Sequence, residues 1–179
     1  MTQQSPAALI ALGGNLGDVL GCFDRACLAL KEYGHITAYS KVYQTPALTA
    51  EPSPEPVPDY WNAAITLQTK LSPSDLLSTL HSIEASCDRV REKHWGSRTL
   101  DLDLLDYTDA GNQHVISEAA ALKLPHPEIA NRLFVLQPLL DIKPDWQHPV
   151  THINAKDLQQ QLLERGESLA EGQPWQHLA

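Results

Sequence analysis

The sequence contains no long apolar run. The longest apolar stretch near its start, Ala7 to Leu12, is far shorter than the roughly 20 residues that a membrane-spanning helix needs. No basic segment precedes this stretch, so it lacks the pattern of a secretory signal peptide. We therefore expect a protein that has no membrane partner and that is located in the cytoplasm.

Cysteine is scarce as well. The chain has 3 cysteines, an odd number, and they form no CxxC pair that would indicate a zinc or redox motif. Each of the three, Cys22, Cys27 and Cys87, falls within a helix-like pattern. Buried, reduced thiols that serve packing are therefore expected, in agreement with a cytoplasmic location.

Basic residues are outnumbered. Lys and Arg total 13 against 22 Asp and Glu, and the resulting net charge of -9 argues against binding nucleic acid through the overall field. The cations are unevenly distributed, because Arg89, Arg91, Lys93 and Arg98 lie close together. In an acidic chain such a cluster suggests a small anionic ligand, and the alternative is a solvated loop rich in charge.

The length of 179 residues suits one domain with a substantial core, so a single domain over residues 1–179 is expected. The stretch "ALIALGGNLGD" predicts a short strand that ends in a glycine turn. Asp18 is expected to cap a helix that Gly34 ends. The apolar face of this helix is predicted to comprise Val19, Cys22, Phe23, Ala26, Cys27 and Leu30.

The remaining elements follow from similar patterns. "HITAYSKVYQT" is β-rich, the proline-rich residues 51–59 predict an exposed loop, and "YWNAAITLQT" predicts the next strand. A second helix begins at "SPSD", and its buried face is predicted to comprise Leu76, Leu80, Ile83, Cys87 and Val90. "RTLDLDLLDY" predicts another strand, "LKLPHPEIANRLFVLQPLLDI" a loop, a short helical turn and an apolar segment, and "NAKDLQQQLLERG" a terminal helix.

The predicted order is strand, helix, strand, strand, helix, strand, with additions at the C-terminal end. Two adjacent strands without an intervening helix favour an α+β fold over a doubly wound sheet. We therefore predict a ferredoxin-like βαββαβ core, in which an antiparallel sheet carries its helices on one face.

The stretch "KHWGSRTLDLDLLDY" combines basic and acidic residues at the start of a strand. Residues two apart share a face of a strand, so Asp101 and Asp103 point one way and the intervening leucines the other. The aspartates could simply face solvent. Adjacent carboxylates repel each other, however, and Mg²⁺ relieves this repulsion by taking one or two carboxylates together with substrate phosphates. With arginines upstream, this arrangement indicates a phosphoryl-transfer site with two metal ions.

No P-loop supports such a site. "GGNLGD" lacks the GK[ST] ending of a Walker A motif and the GxGxxG spacing of a dinucleotide fingerprint, so a tight turn is the simpler interpretation. The phosphates would have to be held mainly by side chains.

These residues resemble those of the 6-hydroxymethyl-7,8-dihydropterin pyrophosphokinases of folate synthesis. The similarity covers roughly residues 8–142, through "ALGGNLGD", "TPAL", "DYWNAAITLQT", "IEASCDRVRE", "HWGSRTLDLDLL" and "LPHPEIANRLFVLQPL". It implies a ferredoxin-like α+β fold and transfer of pyrophosphate from ATP to the hydroxymethyl oxygen of the reduced pterin, with AMP as the leaving group. The partners would be these small molecules, and a monomer is one open alternative for the oligomeric state.

The resemblance also implies roles for individual residues. Asp101 and Asp103 would bind two Mg²⁺ ions, and Arg89 and Arg98 would be catalytic with them. ATP would be bound by Arg91, Trp95, Arg98, His126 and Arg132, with a mobile loop at residues 90–97 closing over the triphosphate. The pterin pocket would comprise Thr45, Pro46, Leu48, Tyr60, Asn62 and Phe134.

The chain departs from the family pattern at a few positions. Gly14 stands where a serine is usual, His94 where an arginine is usual, Ser97 where a proline is usual and His81 where a glutamine is familiar. A paralogue with an altered substrate is therefore an alternative. Further alternatives are a ferredoxin-like binding domain without activity and an RNA-binding module, the latter disfavoured by the acidic charge.

Overall fold

The computed structural model describes residues 5–47, 58–87 and 99–175 of the chain. The predicted proline-rich loop at 51–59 lies mostly outside these ranges, and the basic cluster at 89–98 lies entirely outside them, as does the expected mobile loop at 90–97. Within the described ranges, no helix combines the length and the apolar character that crossing a membrane requires.

The first part of the chain forms the core elements in the predicted order. They are β1 (Ala7–Gly14), α1 (Val19–Leu30), β2 (Gly34–Tyr39), β3 (Val42–Thr45), β4 (Tyr60–Thr69), α2 (Pro73–Cys87) and β5 (Asp101–Thr108). The C-terminal additions are β6 (Ser117–Ala119), β7 (Leu122–Leu124), α3 (Leu133–Ile142), α4 (Ala155–Glu164) and β8 (Gly172–Gln173). The short strands β6, β7 and β8 were not predicted, and the apolar segment after "PHP" is the helix α3.

The main sheet has the strand order β5-β1-β4-β3-β8, and β2 also pairs with β4. The pairs of β1 with β4 and β5, and of β4 with β2 and β3, are all antiparallel. This arrangement confirms the predicted α+β fold with its split βαββαβ core, in which the first and last core strands are neighbours.

Helix α1 follows the sequence pattern closely. Asp18 is its N-cap, and its side chain accepts a hydrogen bond from Gly21 N at 3.0 Å. The residues of α1 that are buried are the predicted ones: Val19, Cys22, Phe23, Ala26, Cys27 and Leu30. In α2, Leu76, Leu80 and Ile83 are buried as predicted, whereas Cys87 is only half-buried and Val90 lies outside the described residues.

Gly34 does not end α1 as predicted. The helix ends at Leu30 with Lys31 as its C-cap, and Gly34 is the first residue of β2. A Cβ atom at Gly34 would lie 2.1 Å from the carbonyl oxygen of Gln68 in β4. Glycine is therefore needed for the close approach of two strands rather than for a helix end.

The β-rich segment after Gly34 forms two strands because Ser40 interrupts it. The Ser40 side-chain oxygen accepts a hydrogen bond from Ala64 N at 2.8 Å, and Ser40 N donates to Ala64 O at 2.9 Å. Ser40 also donates from its hydroxyl to Lys41 O at 2.6 Å. These bonds hold the chain to β4 at the bend between β2 and β3.

The two faces of the sheet carry different helices. Helices α1 and α2 cover one face, where they bury Ile10 and Leu12 of β1 together with Leu102 and Leu104 of β5. The predicted leucine side of β5 is thus in the core. Helices α3 and α4 pack against the other face over Leu9 and Leu105, so the C-terminal additions cover part of the surface that the core leaves open.

Candidate active site

A cleft of about 820 Å³ lies on the face of the sheet that α3 and α4 cover only in part. Its floor comes from β1 and β4, one side from α3, and another side from the C-terminal segment 166–170. Ala11 and Gly13 of β1 lie at the floor, and a Cβ atom at Gly13 would approach Asn62 Oδ1 at 3.7 Å and Asp101 Cβ at 3.9 Å. These small residues leave room for a ligand between β4 and β5.

The two aspartates of the predicted metal site line this cleft together. Asp101 and Asp103 lie opposite Gly13 and Ala11 in the pairing of β5 with β1, and both are half-buried. Among the described residues, no group of three or more His, Cys, Asp or Glu side chains could hold a metal ion. Two carboxylates that face a cleft are nevertheless a donor set that suits Mg²⁺ when phosphate oxygens and water complete the coordination.

His126 lies at the same end of the cleft. Its backbone N–H donates to Leu105 O at 2.8 Å, which fixes it beside β5, and its Nε2 is 3.9 Å from Asp103 Oδ1. The Nδ1 atom accepts a hydrogen bond from Glu128 N at 3.2 Å, so a neutral His126 carries its proton on Nε2. An N–H donor is therefore directed to the region beside the carboxylates.

Glu84 of α2 supports the strand that carries the aspartates. Its Oε1 accepts a hydrogen bond from Leu102 N at 2.6 Å, on the edge of β5 that β1 leaves unpaired. Burial raises the pKa of Glu84, and the negative charges of Asp101 and Asp103 raise it further, against the lowering effect of that hydrogen bond. The pattern of the sequence contained no signal for this contact.

The third aspartate of the stretch "KHWGSRTLDLDLLDY", Asp106, has a different role. A bulge in the pairing of β5 with β1 places Asp106 opposite Leu9, on the same face of the sheet as Asp101 and Asp103 but beneath α3 and α4, where it is buried. Its carboxylate accepts from Trp146 Nε1 at 2.8 Å and lies 2.8 Å from His114 Nδ1. Asp106 therefore holds the loop before α4 and the loop after β5 against the sheet.

A polar pair lies at the other end of the cleft. Asn62 of β4 is only 7% exposed, and its Nδ2 donates to Thr45 Oγ1 at 3.0 Å. Tyr60 pairs with Thr45 across β4 and β3, and Pro46 follows directly, so these four residues line one part of the cleft. The Thr45 contact fixes the amide orientation, with Asn62 Oδ1 remaining as an acceptor.

Phe134 and Arg132 lie where α3 begins. Arg132 is the N-cap residue of α3, and its guanidinium carbon lies 5.8 Å from the centre of the Phe134 ring. Phe134 is 37% exposed and lines the cleft, although the rest of the apolar face of α3 is buried. An exposed aromatic ring that lines the same cleft as the buried Asn62 is suited to stacking on a flat ligand.

The structure brings most of the described candidate residues to one cleft. Those that line it are Thr45, Pro46, Tyr60, Asn62, Asp101, Asp103, Arg132 and Phe134, with His126 beside Asp103. The remaining candidates lie outside the described residues: Leu48, Arg89, Arg91, Trp95 and Arg98. Their roles stay predictions.

Several residues of the cleft were not predicted. Gln137 of α3 and the segment 166–170 line it, and no motif in the sequence pointed to them. The segment follows the terminal helix α4 and begins with Gly166, which is typical of any surface connection.

Gly14, where the family pattern has a serine, lies in a tightly packed position between Thr99 and Val19. A Cβ atom there would lie 2.7 Å from Thr99 O and 3.1 Å from Val19 Cγ1. A serine would therefore require the residues before β5 to shift away from the end of β1. The departure at His81 is an exposed position on α2, and those at His94 and Ser97 lie outside the described residues.

The protein is thus an α+β domain with a ligand cleft. The carboxylates of Asp101 and Asp103 lie at one end of this cleft, and the amide of Asn62 and the hydroxyl of Thr45 lie at the other. A family model described as 7,8-dihydro-6-hydroxymethylpterin-pyrophosphokinase matches residues 9–144. The chain belongs to this family.

Similar proteins that are named as pyrophosphokinases support this family assignment. A 2-amino-4-hydroxy-6-hydroxymethyldihydropteridine pyrophosphokinase from Synechocystis is 42% identical over 149 residues, which are 82% of this chain and 71% of that protein. The protein of this name from Haemophilus influenzae is 38% identical over 148 residues, which are 82% of this chain and 87% of that protein. The family resemblance read from the sequence is confirmed.

A solved structure is similar in fold. The wild-type HPPK-DHPS of Plasmodium falciparum superposes with a TM-score of 0.69 at 14% identity, over 90% of this chain and 45% of that one. This chain thus spans less than half of that protein, and the likeness shows the fold alone.

Proposed function

We propose that the protein transfers pyrophosphate from ATP to 6-hydroxymethyl-7,8-dihydropterin in folate biosynthesis, giving AMP and the pterin pyrophosphate. The observation that carries the proposal is the arrangement of the cleft. Asp101, Gly13 and Asn62 are direct cross-strand neighbours on β5, β1 and β4. The proposed phosphate-binding and pterin-binding ends would therefore lie on one sheet, separated by a single glycine.

Asp101 and Asp103 are the residues that would hold two Mg²⁺ ions. Their carboxylates face the cleft from one side of β5, and hard oxygen donors of this kind suit magnesium. When bound, the ions would neutralise the charge of the carboxylates and of the triphosphate.

The chain's own cations would orient the triphosphate beside these carboxylates. Arg132 offers a guanidinium at the cleft, and His126 offers its Nε2 proton next to Asp103. From the family resemblance, Arg89, Arg91, Trp95 and Arg98 would complete the ATP site, with Arg89 and Arg98 acting on the transferred group. ATP is the co-substrate that this arrangement requires.

The pterin would occupy the opposite end. Asn62, fixed by Thr45, would accept a hydrogen bond from the polar edge of the ring, and Phe134 would stack on its face. Pro46 and Tyr60 would complete the pocket, together with Leu48 from the family resemblance. The hydroxymethyl group would then point along the floor toward Asp101 and Asp103.

The reaction would be a direct transfer. The hydroxymethyl oxygen forms a bond to the β-phosphorus of ATP while the bond from that phosphorus to the oxygen of the α-phosphate breaks, and AMP leaves. Positioning and charge stabilisation supply the catalysis, and no side-chain nucleophile takes part.

We further propose that residues 1–179 act as one monomeric domain on small molecules, in the cytoplasm and without nucleic acid. The net charge of -9 supports the last point. The cysteines Cys22, Cys27 and Cys87 are all free, as expected in a reducing compartment.

The test is incubation of the protein with ATP, Mg²⁺ and the reduced pterin, with the nucleotide products separated and quantified. We expect AMP in an amount equal to the pterin pyrophosphate, and none when the pterin is omitted or Mg²⁺ is chelated. ADP as the main product, or AMP formation that does not depend on the pterin, would contradict the proposal.

A further inference from the structure

Residues 166–170, here called the strap, line the cleft although they lie beyond the residues 9–144 that match the family model. The strap follows α4, whose C-cap is Arg165, and it starts at Gly166 with a φ of 96°. This left-handed conformation suits glycine and turns the chain away from the helix axis. The chain then passes along the cleft toward the edge of the sheet.

The strap is fixed to α3 by a pair of hydrogen bonds. Gln137 Nε2 donates to Ala170 O at 2.6 Å, and Gln137 Oε1 accepts from Ala170 N at 3.1 Å. One side-chain amide therefore satisfies both backbone groups of a residue in the strap, in the manner of a strand partner. Since Gln137 also lines the cleft, this attachment sets the distance between the strap and α3.

The chain beyond the strap is fixed as well. In β8, Gly172 pairs with Tyr43 of β3. Trp175 contacts Phe23 and Tyr39 edge to face, at 5.7 and 5.4 Å between ring centres, and its Nε1 donates to Asp24 Oδ1 at 3.1 Å. The strap is thus held on both sides, and its residues reach the cleft without further ordering.

The position of the strap in the sheet decides which end of the cleft it borders. Strands β5 and β8 are at opposite ends of the strand order, with the carboxylates on β5 and the strap leading into β8. The strap therefore borders the end that contains Thr45 and Asn62, on the side of β3.

Leu169 is the residue of the strap that stands out. It is 53% exposed and lines the cleft, where Phe134 is the other large apolar side chain that is exposed among the described lining residues. A large apolar side chain that is held in a cleft and left open to water gains favourable burial when a ligand covers it.

We propose that Leu169 is a specificity-determining residue that contacts the pterin ring and limits the size of the ring system that the cleft accepts. The inference rests on the proposed function, because it takes the pterin as the occupant of that end. Leu169 contributes apolar contact that is independent of the polar contacts of Asn62, and Gln137 positions the backbone that carries it.

The experiment compares Leu169→Ala with Leu28→Ala, a control that removes an equally large side chain, 65% exposed, on α1 and outside the cleft. Binding of the fluorescent probe 6-hydroxymethylpterin is titrated, and the KM values for the reduced pterin and ATP are measured. We expect Leu169→Ala to weaken pterin binding and raise its KM by about tenfold, with the KM for ATP unchanged, since a few methylene groups in a pocket have effects of this order. Leu28→Ala should match the wild type, and Leu169→Met should keep most of the affinity.

Substrate size gives a second measurement. The affinity of a pterin analogue that carries an alkyl group on the ring is divided by the affinity of the unmodified probe. This ratio should be higher for Leu169→Ala than for the wild type. Equal pterin affinity in the two alanine variants would overturn the inference. The titration does not need turnover, so it separates the two proposals. A wild type that binds the probe but is inactive would contradict only the proposed pyrophosphate transfer. A wild type that does not bind the probe would overturn both that transfer and the role of Leu169.

Discussion

The two faces of the main sheet differ in what they bury, although the same strands supply both. On the face of α1 and α2, β1 contributes Ile10 and Leu12 to a closed core. On the other face the same strand contributes Ala11 and Gly13 to the floor of the cleft. Side chains alternate along a strand, so the residues that face α1 and α2 serve stability, and the residues between them face the cleft and are available for ligand binding.

Strand β5 shows the same division and its limit. Leu102 and Leu104 are in the core, whereas Asp101 and Asp103 face the cleft. The bulge near Leu105 then ends the alternation, and Asp106 becomes a structural acceptor beneath the C-terminal additions. A register shift of one residue would exchange the two sets, so the leucines fix the position of the carboxylates. Stability and chemistry should therefore be separable by mutation in this sheet.

The largest effect is expected for Asp103→Ala on the cleft face. Turnover should fall by about a thousandfold or more, because a metal-binding carboxylate is lost from the phosphate end of the cleft. The free energy of unfolding in urea should change by less than about 0.5 kcal/mol, since the side chain is 38% exposed and its removal relieves repulsion with Asp101. Glu118→Ala, at an exposed acid on β6, is the control and should retain full turnover.

Activity within a few-fold of the wild type in Asp103→Ala would rule out the metal role. A large loss of stability would show instead that the cleft face is part of the core, and the distinction between the faces would be wrong.

The opposite result is expected for Phe23→Ala on the closed face. Phe23 of α1 is fully buried in the core, where its ring contacts Trp175. The free energy of unfolding should fall by about 3–5 kcal/mol, the range for a buried phenylalanine replaced by alanine. At low temperature, where the variant remains folded, the KM for ATP should be close to that of the wild type.

Chemical denaturation at equilibrium measures the stability of Phe23→Ala, and Leu28→Ala on the exposed side of the same helix is the matched control. A stability equal to that control would be incompatible with the closed core on this face.

The closed face is also the part that the sequence predicts best. The spacing of apolar residues in α1 follows directly from 3.6 residues per turn, and all six positions from Val19 to Leu30 are buried as expected. Likewise, β4 has the bounds of the predicted segment, Tyr60–Thr69. These elements are determined by local periodicity, which a single sequence contains.

The cleft face is predicted less completely because long-range contacts shape it. Asp101 and Asp103 are evident from the sequence, whereas nothing in it indicates that Gln137 fixes the strap. Strand β8 has two residues and exists only because β3 offers an edge to pair with. Such contacts leave no pattern in the neighbouring residues, so no motif predicts them.

The smallest effect is expected at His148, in the loop between α3 and α4. Its ring lies edge to face on Trp146 at 5.8 Å between ring centres, and its Nδ1 accepts hydrogen bonds from Val150 N and Thr151 N at 3.2 and 3.3 Å. Burial lowers the pKa of His148, and His152 lowers it further, against the opposing effect of the Asp106 charge. The folded state therefore binds a proton at this site less readily than the unfolded state.

It follows that stability from His148 is fully present above pH 6.5, the ordinary histidine value, and is lost as the pH falls from that value through the lower pKa of the folded state. His148→Asn retains an acceptor for the two N–H groups but does not titrate. Between pH 7.5 and 5.5 it should lose less stability than the wild type, by less than about 1 kcal/mol because the ring is partly solvated. Urea unfolding at both pH values measures this difference, with His35→Asn at an exposed site on β2 as the control. If the two variants show the same pH dependence, protonation of His148 does not contribute to the acid dependence of stability.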